Sequence, residues 1–131
     1  MGYYVYIVRC EDASLYTGIT TDVARRMAEH RSQAAPGAKY TRMRKVIALE
    51  ALWKAPDRMA ASTSEYRIKQ LRRAQKLALV EHPERADAVA FPKFDEAAAK
   101  KGAPGTFRVF EPASEEECNF LWNEAISRDR G

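Results

Sequence analysis

Apolar and polar positions alternate cleanly at the start of the chain. In Tyr3 to Arg9, Val5 and Ile7 fall on one side of an extended backbone, and Tyr4, Tyr6 and Val8 on the other. A run rich in aromatic and β-branched residues with that period of two predicts a strand covered on both faces. Glu11-Asp12-Ala13-Ser14 is a polar turn, and Leu15 to Thr20 is a second strand, so the pair forms a β-hairpin. The period then changes. Val23 and Met27 fall on one side of a helix that runs to about His30 or Arg31, capped by Thr20 or Thr21 and with Asp22 near its positive end. Residues 32–44 contain Pro36 and Gly37, show no period, and form a loop that turns basic at its end. Val46 to Trp53 is almost wholly apolar and reads as a third strand, buried on both faces.

Pro56-Asp57 opens a long helix reaching roughly Arg73, with Ser64, Ile68 and Leu71 on one side. A short apolar helix from Ala74 to Glu81 follows and stops at His82-Pro83. Residues 84–112 are broken by proline and glycine, with at most a short helix around Asp95 to Lys101. Ser114-Glu115-Glu116-Glu117 is a capping box for a last helix over 114–127, with Phe120 and Leu121 as its packing residues. These elements predict an α+β fold: a small three-stranded antiparallel sheet flanked by helices over residues 1–83, then a C-terminal helical extension over 84–131.

Composition narrows the class. The chain has 131 residues, enough for one core, and its 46% hydrophobic and 31% charged content is that of a globular protein. No apolar run approaches the ~18 residues of a membrane span. No charged leader followed by an apolar stretch and cleavage site is evident, which points to the cytoplasm. Cys10 and Cys118 have no metal-site spacing around them and read as reduced thiols. The net charge is +4, with +7 on residues 1–82 and −3 on the remainder. A basic front suits a polyanion, although a solvated surface of mixed charge gives the same count.

The front half also gathers chemistry. Tyr6 and Tyr16 lie on paired strands, and Gly18 stands on the same face as Tyr16, leaving room for a backbone or ligand. Arg26 and His30 are four apart and share a helix face. Guanidinium binds phosphate oxygens in a bidentate manner, and phenol or imidazole can relay a proton. Glu65 stands at the border of the apolar stripe of its helix, where a carboxylate could hold Mg²⁺. Each residue has an ordinary alternative: half-buried strand aromatics, Arg26 paired with Asp22, Arg25 with Glu29, His30 as a helix-end charge, Glu65 in an exposed pair with Lys69.

Taken in order, strand Tyr4-Val5-Tyr6, strand Tyr16-Thr17-Gly18, Arg26 ten residues after the second motif tyrosine, His30 four later and a distant helical Glu65 resemble the GIY-YIG nuclease family. "LYTGITTDVARRMAEH" and "SEYRIKQLRRAQKLALVEHP" are similar to its small stand-alone bacterial members. The likeness covers about residues 3–83. The first motif lacks its leading glycine, the second has Thr17 for isoleucine, and no asparagine stands between Glu65 and Pro83. The resemblance implies an endonuclease that hydrolyses phosphodiester bonds with Mg²⁺ or Mn²⁺, with DNA favoured over RNA. Tyr6 and Tyr16 match its motif tyrosines, Arg26 its phosphate-stabilising arginine, His30 the histidine of the same helix and Glu65 its metal ligand. A tyrosine titrates near ~10, so one acting as base needs a cation beside it. Lys39, Tyr40, Arg42 and Arg44 are candidates for backbone contact and stacking. Two other readings remain: a binding module on the same scaffold with little cleavage, and a nuclease subunit that needs a protein partner, met through the acidic extension.

Overall fold

The computed structural model describes residues 2–32, 44–93 and 109–130. Strands β1 (Tyr3–Cys10), β2 (Leu15–Thr20), β3 (Val46–Ala55) and β4 (Glu111–Pro112) form one antiparallel sheet in the order β2-β1-β3-β4. The helices are α1 (Val23–Arg31), α2 (Arg58–Lys69), α3 (Arg73–Glu81), α4 (Ala86–Ala90) and α5 (Glu115–Arg130), with a 3₁₀ turn over Pro83–Arg85. Among the described residues, no helix is long and apolar enough to cross a membrane.

Alternation along β1 splits the core into two layers, as its sequence pattern requires. Val5 and Ile7 pack with Ala51, Trp53, Ala61, Ile68 and Phe110 beneath α2 to α4. Tyr6, Val8 and Cys10 pack with Val23, Met27, Leu52, Cys118 and Ala125 beneath α1 and α5. Residues 109–125 thus enter both layers. Asp87, itself buried, accepts hydrogen bonds from the backbone N–H groups of Val109 and Phe110, which ties the second segment to α4.

Four details differ from the sequence reading. The sheet has a fourth strand, because Glu111 and Pro112 pair with Lys54 and Trp53. Two residues, one of them proline, carry no alternation to read. The cap of α1 is Asp22, whose Oδ1 accepts from the Arg25 N–H at 3.2 Å, while the Thr20 hydroxyl accepts from the Asp22 N–H one step earlier. A carboxylate at that position answers both the unpaired amide and the helix dipole. The long helix ends at Lys69 and restarts at Arg73, where the Gln75 side chain accepts from the Arg72 N–H. On α5 the packing positions are Cys118, Leu121, Trp122 and Ala125, spaced i, i+3, i+4, i+7, and Phe120 lies off that stripe and is 62% exposed. The short helix expected around Asp95 lies outside the described residues.

The hairpin that frames the site is held tightly. Ala13 adopts φ 68° at the turn, its carbonyl accepts from Arg73 Nη1 at 2.8 Å, and Asp12 pairs with Arg44 Nε at 2.9 Å. The beginning of α3 is thereby anchored to the turn between β1 and β2.

Candidate active site

Register places the tyrosines. Tyr6 lies opposite Gly18 and Val8 opposite Tyr16, so the two phenols sit diagonally on one face with ring centroids 6.5 Å apart. A Cβ at position 18 would fall 2.5 Å from Cζ and 2.7 Å from Cε2 of Tyr6, and closer still to its hydroxyl. The space cleared by Gly18 is filled by the Tyr6 ring, not left open for a ligand. α1 then crosses this face, and its i, i+4 pair points at the same hydroxyl. Arg26 Nε donates to Tyr6 Oη at 3.3 Å, and Tyr6 Oη lies 2.7 Å from His30 Nε2. With its oxygen accepting from Arg26, the phenol O–H donates to His30, which fixes the imidazole as the tautomer protonated on Nδ1. The His30 ring also meets Tyr16, centroid to centroid, at 5.6 Å.

Burial sets the charge states. Tyr6 and His30 are completely buried. Burial drives the Tyr6 phenol up to about 12, against the pull of the Arg26 hydrogen bond and charge. Burial, with the Arg26 charge behind it, takes His30 down to about 4, so its ring is neutral near pH 7. This is not a charged helix-end histidine. Arg26 stays cationic: burial opposes its charge, and the Tyr6 hydroxyl and Glu29, 3.8 Å away, more than offset it.

Glu65 arrives from the other layer. β2 is the edge strand and α2 packs against it, so residues on the margin of α2 reach the rim of the sheet. One chain of contacts links Glu65 to the tyrosines, and its negative charge adds slightly to the upward push on the Tyr6 phenol. Lys69, one helical turn on, places Nζ 3.6 Å from Glu65 Oε2 and 5.6 Å from the centre of the Tyr16 ring. The pairing of Glu65 with Lys69 is real, yet it stands inside the site rather than apart from it. The sequence reading gives Lys69 as an exposed ion-pair partner of Glu65 and gives it no place beside Tyr16. Tyr16, Arg26 and Glu65 are half-buried, and Tyr6 and His30 are fully buried. A cavity of about 570 Å³ along β3, lined by Arg9, Glu50, Glu81 and Glu115 among others, includes none of these five side chains. Arg44 is at the hairpin turn, and Lys39, Tyr40 and Arg42 lie outside the described residues.

Residues 2–78 match the family model of the GIY-YIG catalytic domain. The chain belongs to the GIY-YIG family. Its members are typically nucleases. The GIY-YIG domain here is similar to a UPF0213 protein of Desulfotalea psychrophila, 47% identical over 93 residues that cover 70% of this chain and 84% of that protein. It is also similar to a UPF0213 protein of Halobacterium salinarum, 51% identical over 77 residues, 59% of this chain and 97% of that one. The solution NMR structure of a UPF0213 protein from Bacillus halodurans is 48% identical, covering 62% of this chain and 84% of that one, with a TM-score of 0.41.

The depressed His30 pKa makes the GIY-YIG domain sensitive to acid. The unfolded chain takes up this proton near 6.5 and the native state only near 4. Between these values the unfolded state binds more protons, so stability falls as pH drops and is constant with respect to His30 above about 6.5. The full span is worth about 3 kcal/mol. Urea unfolding at a series of pH values should show that loss, and a His30→Gln protein should show a shallower slope across the same range.

Proposed function

We propose that this protein is a divalent-cation-dependent phosphodiesterase that hydrolyses nucleic acid strands, with DNA the first substrate to test. The observation that supports it is a half-buried arginine held by Tyr6 and His30, with Lys69 spanning from the Glu65 carboxylate to the Tyr16 ring at the rim of β2.

The donor set fits a single Mg²⁺. That ion is held in nuclease-type sites by one or two carboxylates, with waters and substrate phosphate completing six oxygens. Glu65 is one carboxylate, 25% exposed, and already faces a positive charge from Lys69. Among the described residues no group of three His, Cys, Asp or Glu side chains could form an all-protein cage. Glu65 would therefore hold the ion, which when bound supplies Lewis acidity toward the phosphate and its departing oxygen.

The chain's own residues supply the remainder. Arg26 neutralises the equatorial oxygens as charge gathers on them in the transition state, and its guanidinium plane is fixed in advance by Tyr6. Tyr16 takes the proton of the attacking water as the new P–O bond forms and the bond to the leaving strand breaks. For this Tyr16 must act as the phenolate, which becomes a neutral phenol on taking the proton, and the Lys69 ammonium over its ring favours that phenolate beforehand. Tyr6, buried and hard to ionise, holds Arg26 and passes its own hydrogen bond to neutral His30. The test is incubation with labelled single-stranded, duplex and branched DNA and with RNA, with and without Mg²⁺ or Mn²⁺. Cation-dependent cleavage of any of them supports the reading. Salt-sensitive binding with no cleavage of any would leave only a binding module.

A further inference from the structure

We infer that Tyr66 and Lys69 form a platform on which an unpaired base stacks beside the scissile phosphate, so that the substrate strand is single-stranded at that point. The inference rests on the nuclease reading for the position of the phosphate. The platform itself stands on separate observations.

Tyr66 is 62% exposed and directly follows Glu65. At ~100° per residue, Glu65 and Tyr66 leave α2 about a quarter turn apart, and Lys69 projects between them. The order around the helix is therefore carboxylate, ammonium, aromatic ring, running outward from Tyr16. Met59, 79% exposed, lies beyond Tyr66 on the same outer side, two helical turns earlier. Two large apolar side chains are therefore left exposed on one side of α2.

Charge indicates which partner. Residues 58–80 hold six Lys or Arg (Arg58, Arg67, Lys69, Arg72, Arg73, Lys76) and Glu65 as their one acidic residue. A stretch with that excess of positive charge attracts phosphates and disfavours basic partners, and its charge complements a nucleic acid backbone. A cationic track interleaved with an exposed ring is how proteins hold single strands, because every base has a face to stack and duplex bases have none free. Arg73 holds the start of α3 on the hairpin turn through the Ala13 carbonyl, so the cationic residues at that end of the helix are carried by a fixed element.

The experiment is fluorescence anisotropy in EDTA, so that no cleavage occurs, with a labelled DNA strand of about 12 nucleotides and the matching blunt duplex. The expected result is tighter binding of the strand than of the duplex. Tyr66→Ala should weaken strand binding about tenfold, since one stacked base is worth ~1–3 kcal/mol, and change duplex binding less than about twofold. Tyr66→Phe and Tyr66→Trp should retain strand affinity. The slope of affinity against salt should stay as in the wild type, because no phosphate contact is lost. Equal losses on strand and duplex, no loss on either, or a Tyr66→Phe protein that behaves as Tyr66→Ala would overturn the platform. A protein that binds as expected yet cuts nothing when Mg²⁺ is restored would sink the nuclease reading and leave the platform standing. Cleavage with Tyr66→Ala binding unchanged would do the reverse.

Discussion

Replacing Arg26 with alanine should slow cleavage by roughly 10²–10³-fold, the usual cost of removing one preorganised donor from a charged transition state. The loss should fall on kcat more than on KM, because the guanidinium meets the most charge when the phosphorus is five-coordinate. Stability should change little by comparison. Arg26 is half-buried, and what it leaves behind is a Tyr6 hydroxyl that still donates to His30. A second readout separates a charge role from a packing role. Arg26 is one of the two causes that hold the His30 pKa near 4, so in Arg26→Ala that pKa should rise, measurable from the imidazole NMR shifts. Arg26→Lys keeps the charge but not the fork, and should recover the His30 shift far better than the rate.

Gly18→Ala should be strongly destabilising for the addition of a single methyl group. The new carbon would sit 2.5 Å and 2.7 Å from two atoms of the Tyr6 ring, closer than real carbons approach. The ring has nowhere to go: Tyr6 and His30 are completely buried and joined by a 2.7 Å hydrogen bond. Either the hairpin spreads or the ring tilts and releases Arg26, at a cost of about 3 kcal/mol, the upper part of the range for an overpacked core. Activity should fall with it, since the arginine loses its support. A double-mutant cycle isolates the cause. In a Tyr6→Ala background, the same Gly18→Ala change should cost only a small fraction of that figure in urea unfolding.

Much of this site could be read from the chain because its parts obey local periods. The alternation in β1 places Tyr6 opposite Val5 and Ile7, and i, i+4 spacing puts Arg26 and His30 on one side of α1. Glu65 was legible for the same reason, since the apolar stripe of Ala61, Ser64 and Ile68 leaves it on the border. What could not be read depends on who the neighbour is. Gly18 announces a close approach without saying that Tyr6 makes it. Nothing local tells whether Lys69 turns to solvent or back over Tyr16. Thr20, Thr21 and Asp22 are all competent caps, and only the backbone conformation at Asp22 chooses among them. β4 has two residues and exists because Trp53 and Lys54 offer a free edge to the chain leading into α5. The sequence reading expects Phe120 and Leu121 to pack; Leu121 does, whereas Phe120 lies outside the stripe of Cys118, Leu121, Trp122 and Ala125 that sets the phase of α5.

The placement of Glu65 across the edge of the sheet from its partners is the claim on which the catalytic account turns. The direct measurement is single-turnover cleavage of a labelled strand as Mg²⁺ is titrated, for the wild type and for Glu65→Gln, which preserves shape and removes the charge. The account predicts a saturable Mg²⁺ dependence in the wild type and a rate at least about 100-fold lower in Glu65→Gln at any concentration of the ion. Equal rates and equal Mg²⁺ dependence in the two proteins would contradict it.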